Sequence, residues 1–179
     1  MRKNCLLLFL ALLAAAEPRL PAAPAPQTTP QTTLKADLAA LLDGVREIAA
    51  PGAPGTLCVF GDAAFPVVIG GAGRAAWAPV AGAAKFGNGR VVALSHNGYL
   101  GTEALEFGDT GRFIANAARW AAGERKPATG KIHVGLYRRG QLEEFFEKNG
   151  FKASEADLRR LNAIHVLVSD AHSFSEKDI

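Results

Sequence analysis

Two patterns place this chain in the α/β class with a mixed, mainly parallel sheet. From Lys131 onward the order is strand, helix, strand, and both strand segments, "KIHVGL" and "AIHVLV", are nearly continuous apolar runs. Such runs suit parallel strands buried on both faces and joined by a right-handed crossover. Earlier, "APVAGAAKFGNGRVVALS" sets two apolar runs about Asn88-Gly89. That dipeptide tolerates the positive φ of a type I′ turn, which predicts an antiparallel hairpin at one side of the sheet.

The first residues stand outside that pattern. "MRKN" carries Arg2 and Lys3, "CLLLFLALLAAA" is unbroken apolar sequence, and Ala14 and Ala16 form a small-x-small exit. A basic start, a short apolar core and a small-residue exit describe a secretory signal peptide over residues 1–16. About twelve apolar residues fall short of the roughly 20 that span a bilayer, so no membrane span is expected once the leader is cut. Residues 17–33, rich in Pro, Ala, Thr and Gln without apolar periodicity, read as a solvated tether. The compact domain is then 34–179, in a secreted, periplasmic or extracellular protein.

Loss of the leader changes the balance of charge and thiols. The chain of 179 residues carries a formal charge of +3, which falls to about +1 without Arg2 and Lys3. Nothing there argues for nucleic acid. Of the two cysteines only Cys58 remains, and it cannot form an internal disulfide. Its place inside "TLCVF" predicts a buried, inert thiol.

Within the domain, Leu34, Leu38, Leu41, Leu42, Val45 and Ile48 recur at helical spacing, so "LKADLAALLDGVREIAA" is expected as one amphipathic helix stopped by "PGAPG". "TLCVFG" and "FPVVIGG" have strand character. "DTGRFIANAARWAAG" is a helix that Asp109 or Thr110 can cap and Gly123 can end, with Phe113, Ile114, Ala117, Trp120 and Ala121 facing inward. "GQLEEFFEKNG" is a helix burying Leu142, Phe145 and Phe146, and "SEADLRRL" a short one that Ser154 could cap.

Ligands of open α/β sheets gather beyond the carboxyl ends of strands. Three segments lie there: Ser95-His96-Asn97, Tyr137-Arg138-Arg139 and Ser169-Asp170-Ala171-His172. The candidate ligand-binding residues are therefore Ser95, His96, Asn97, Arg138, Arg139, Asp170 and His172. Ser95, His96 and Asp170 are the residue types of a serine hydrolase, but neighbours on an extended chain point to opposite faces. The Gly-x-Ser-x-Gly elbow that exposes a nucleophile is absent. Ser95 and Asn97 are the residue types that satisfy loop backbone groups. A phosphate-cradling Gly-x-x-x-x-Gly-Lys-Ser/Thr pattern is also missing. The four histidines show no metal-ligand spacing, although His133 and His165 occupy equivalent strand positions and could share a sheet face. Arg138-Arg139 could hold an anion at a helix start. No cofactor and no metal is expected.

Taken together, "CVFGDAAFPVVIGG", "GNGRVVALSHNGYL", "FIANAARWAAG" and the "LVSDAHSF" exit resemble the N-terminal module of TRP channel-associated factor proteins. The same module occurs in secreted bacterial proteins bearing an enhancin-like zinc peptidase domain. The resemblance covers roughly Leu34 to Ile179 and implies a class I glutamine amidotransferase-like, flavodoxin-type sandwich. It does not carry over a catalytic residue, because the family's Gly-x-Cys-x-Gly elbow, His-x-Glu pair and His-Glu-x-x-His segment do not occur here. By analogy, a partner would be another domain of a longer chain, or an extracellular glycoprotein or glycan. The expected function is a non-catalytic scaffold or recognition module, the front of a longer protein. Its rival is a hydrolase or amidase using His96 and Asp170 with Ser95 or His172.

Overall fold

The segment that organises the molecule is "TGRFIANAARWAA", helix α3 (Thr110–Ala122), in which ten of 13 residues are buried. A helix apolar on so many sides must be covered on all of them. In the computed structural model, which describes residues 31–52, 55–71, 77–124 and 130–170, α3 packs against elements from both halves of the chain. Helices α1 (Gln31–Leu41) and α2 (Thr102–Glu106) lie against it. So do one strand of an antiparallel sheet and one strand of a parallel sheet.

The antiparallel sheet runs in the order β1 (Ala64–Gly71), β2 (Trp77–Phe86), β3 (Gly89–Leu94). The parallel sheet runs β5 (Lys152–Glu155), β4 (His133–Leu136), β6 (Val166–Val168). Among the described residues these are two three-stranded sheets, not the single mixed sheet expected. One apolar core nevertheless joins them: Phe65, Ala81, Phe113, Val134, Leu136 and Phe146 belong to the same cluster.

Several expectations need correction. The first helix does not run on to Ala50. It ends at Leu41, and Gly44 reverses the chain at φ +66°. Asn116 of α3 holds that end, its Nδ2 donating to Asp43 O at 2.9 Å and Leu41 O at 3.4 Å. Asp109 and Thr110 do not cap α3 with their side chains. They secure the incoming loop instead: Asp109 Oδ2 accepts from Arg46 N at 2.9 Å, and Thr110 Oγ1 from Ala49 N at 2.7 Å.

"TLCVFG" is not a strand, and Cys58 is exposed. The segment lies against β2, with Leu57 N donating to Pro79 O at 2.8 Å. The hairpin turn sits one residue earlier than expected. Phe86 pairs with Gly89, so Gly87 and Asn88 form the loop, and only Gly87 has positive φ, +56°. That is the Gly-first pattern of a type II′ turn.

"SEADLRRL" is not a helix capped by Ser154. Ser154 lies in β5, which pairs parallel with β4, and Asp157 caps a following 3-10 turn (Leu158–Ala163). An aromatic cluster explains why "KASE" extends: helix α4 (Glu143–Lys148) delivers Phe146 edge-on to Phe151, centroids 5.5 Å apart. Phe151 then feeds straight into β5. The leader at 1–16, most of the tether and His172 lie outside the described residues.

His133 and His165 do meet in register, since Val134 pairs with Val166. They make a backbone clamp. His165 Nδ1 accepts from His133 N at 3.1 Å, and His165 N donates to His133 O at 2.8 Å. His133 Nδ1 lies 2.9 Å from Ala163 O and so donates, which leaves Nε2 to accept from Ser154 Oγ at 2.8 Å. The two rings bind the three strands at their amino ends. Among the described residues no group of three His, Cys, Asp or Glu side chains could hold a metal ion.

Candidate functional site

Beyond Leu94 the chain leaves β3 in steps that its residue types dictate. Ser95 N still donates to Val80 O at 2.9 Å. His96 stays extended (φ −148°, ψ 138°), and its Nδ1 accepts from Gly98 N at 2.9 Å, capping the 3-10 turn Asn97–Leu100. A Cβ on Gly98 would stand 2.7 Å from His96 Nδ1 and 2.8 Å from Pro51 Cβ, so only glycine lets the ring dock there. Tyr99 and Leu100 then turn into the core. Burial raises the Tyr99 phenol above its ordinary range, and the nearby Ser95 hydroxyl opposes that more weakly. The two hydroxyls are neighbours without good bonding geometry, because Ser95 Oγ is buried with no hydrogen-bond partner.

At the end of β4 the backbone is strained. Arg138 has φ +54°, unusual for a residue with a side chain. Its N–H donates to Glu155 Oε1 at 3.3 Å, and its guanidinium lies 5.2 Å from the centre of the Tyr137 ring. That twist sends the next residue the other way. Arg139 turns inward and pairs with Asp170 at the end of β6, both side chains largely buried. Asp170 Oδ2 also accepts from Asn97 Nδ2 at 3.3 Å.

Three of the expected residues, Asn97, Arg139 and Asp170, thus converge from three strand ends. Of the other expected residues that are described, Ser95, His96 and Arg138 do not join them. Ser95 is half-buried with its hydroxyl out of reach of solvent, and Arg138 is exposed. His96 turns to Gly98, with its Cε1 and Nε2 edge against Gly52. His96 makes no hydrogen bond to Ser95 or Asp170, so a nucleophile, base and acid are not aligned. Arg139 is neutralised by Asp170, while its Nε is buried with no hydrogen-bond partner. Arg138 is the cation that the rim presents outward.

Glu155 belongs to this rim and was not anticipated, because the strand it ends was read as a helix start. A second polar node was also missed. Asp37 of α1 is buried, accepts from Trp120 Nε1 at 2.9 Å, and pairs with Lys85 Nζ at 2.5 Å. Arg90 lies over the same indole at 5.3 Å, and Phe65 meets it edge-on at 6.1 Å. An acid among the apolar positions of the first helix was the available signal.

Behind the rim lies a groove of about 770 Å³. One wall is residues 90–97, the other is residues 165–170, and Ile114, Ala117, Ala118 and Ala121 of α3 form the floor. Among the described residues no helix is long and apolar enough to cross a membrane.

Comparison with known proteins adds a family. Residues 14–178 match the family described as TRPM8, N-terminal domain. TRPM8 channel-associated factor 2 of Bos taurus is 39% identical over 103 residues, covering 56% of this chain and 10% of the relative. The TRPM8 channel-associated factor homolog of Danio rerio is 33% identical over 119 residues, covering 61% of this chain and 12% of the relative. The chain therefore spans about a tenth of the length of these relatives. No solved structure matches it.

Proposed function

The chain belongs to the TRPM8 channel-associated factor N-terminal domain family, and on that premise we propose that it is a non-catalytic module that recognises a protein partner. The partner class follows from the relatives' names: a membrane channel of the TRPM8 kind. The observation that carries this reading is how the rim uses its polar groups. Asp170 holds Asn97 and Arg139, and His96 caps a turn. Groups spent on holding strand ends together are not poised for proton transfer, which needs a base within reach of its target. What the rim offers outward is a strained, exposed arginine, a residue type favoured at protein interfaces.

The finer expectations form part of the same proposal. Residues 1–16 act as an export leader, which the mass of the secreted chain tests directly. The parallel half, with helices packed beside it, suits an amidotransferase-like sandwich in which further elements join the two sheets. The likeness to proteins with an enhancin-like peptidase domain makes a downstream His-Glu-x-x-His segment the feature to seek in the reading frame.

The test is capture of a detergent-solubilised TRPM8 channel by the immobilised protein. Arg138→Glu reverses the outward charge without touching the buried tie. Binding should fall about tenfold, equivalent to roughly 1.4 kcal/mol. Unchanged binding by this variant would move the contact elsewhere. Amide or ester hydrolysis abolished by His96→Ala would overturn the non-catalytic reading.

A further inference from the structure

The amino end of the parallel sheet is closed by a side chain standing in for backbone. Val134 pairs with Val166, and one residue earlier His165 N donates to His133 O at 2.8 Å. The bond in return is made by a ring: His165 Nδ1 accepts from His133 N at 3.1 Å. An imidazole nitrogen accepts only while it carries no proton. A backbone N–H has no second form, so a protonated Nδ1 would set one donor against another.

His133 answers acid differently. Its Nδ1 already donates to Ala163 O at 2.9 Å, and its Nε2 meets Ser154 Oγ at 2.8 Å. A hydroxyl can turn from donating to accepting, so a second proton on His133 is accommodated and one on His165 is not. The charged surroundings point the same way. Arg90 lines the groove with His165. The packed elements bring Lys131 before β4, Lys152 in β5, Glu124 after α3, and Asp157, Arg159 and Arg160 around the 3-10 turn. Asp157 is engaged by Arg159. Cations outnumber carboxylates among these described residues, which favours a neutral ring.

We propose that His165 is an acid-released latch, which fastens the start of β6 to β4 at neutral pH and lets it go when the ring takes up a proton. This concerns regulation of the fold and stands whether or not the partner proposed above is the right one. The sign follows from linkage: the open form accepts the proton and the closed form excludes it. Closure is therefore complete above the ordinary imidazole range, near 6.5, and weakens as the pH falls below it. At pH 5, about 1.5 units lower, it weakens by up to about thirtyfold. The other end of the pair is held by different groups: Tyr137 N donates to Val168 O at 2.9 Å, and Arg139 pairs with Asp170. Release is thus confined to the amino end, where the ring also lines the groove.

The test is amide exchange on the full chain at about pH 7.5 and pH 5, with rates corrected for the intrinsic effect of pH. Protection of the His133 and His165 amides should drop about tenfold or more in acid, while that of Tyr137 changes little. His165→Asn offers an amide oxygen where Nδ1 stands and cannot take up a proton, so its protection should be the same at both pH values. His133→Asn should keep the acid loss. Acid loss that persists in His165→Asn, disappears in His133→Asn or reaches Tyr137 equally would overturn the proposal. A readout on the parent needs no variant: the ring nitrogen shifts of His165 at neutral pH should show Nδ1 bare and Nε2 protonated. The opposite tautomer would overturn the latch as well.

Discussion

Trp120 shows how much one side chain can be asked to hold. Its indole N–H donates to Asp37, its carbonyl accepts from Arg90 Nη1 at 3.0 Å, and its ring carries Phe65 on its edge. Asp37 is the weak point of that arrangement, since it is buried and also answers Lys85. Asp37→Ala leaves a buried N–H and a half-covered ammonium without a partner. The expected loss is on the order of 3 kcal/mol, read from urea unfolding. Asp37→Asn, which keeps the acceptor for Trp120, should lose clearly less. Equal losses for the two variants would mean that the Lys85 pair, and not the indole bond, carries the effect.

At the scale of elements, the ends of helices and strands are set by distant residues. Helix α1 has an apolar stripe that continues to Ile48, yet it stops at Leu41 because Gly44 reverses the chain and Asn116 receives the freed carbonyls. Unmet carbonyls at a buried helix end cost free energy, which the Asn116 amide avoids. Asn116→Ala should therefore destabilise by roughly 2 kcal/mol. Faster exchange should be confined to the last turn of α1 and the loop that follows. Loss spread evenly over the molecule would argue against a capping role. Strand β5 shows the same dependence: "KASE" has no strand signature, but Phe151 packs beneath Phe146 and β4 presents an open edge.

For the molecule as a whole, the question is what keeps two separate sheets in one arrangement. The shared core does most of this, and the tie among Asn97, Arg139 and Asp170 locks the strand ends. Removing one partner of a buried ion pair leaves the other charge uncompensated. Asp170→Ala should cost roughly 3 kcal/mol and speed amide exchange at the ends of β3 and β6 together. Replacing Arg139 and Asp170 together with leucines should recover much of that loss, since paired removal strands no charge. A double variant no better than the single would show that the tie contributes beyond its charges.

The hairpin, the central helix and the β4 and β6 strands were legible because each rests on a pattern within about a dozen neighbouring residues. Reading where apolar runs stop located the three strand ends, but the meeting of Asn97, Arg139 and Asp170 came from the structure. The destinations of the polar groups there were not legible. His96 turning to Gly98, Arg139 turning to Asp170 under the strain at Arg138, and Glu155 joining them all depend on contacts between residues far apart in the chain. Hydrophobic period, turn chemistry and charge are local properties, so the sequence alone determined the α/β class, most of the elements and the family resemblance. Where helices end, which edges pair and which polar atoms meet are decided by packing and backbone hydrogen bonding across the fold, and those only the tertiary structure could decide.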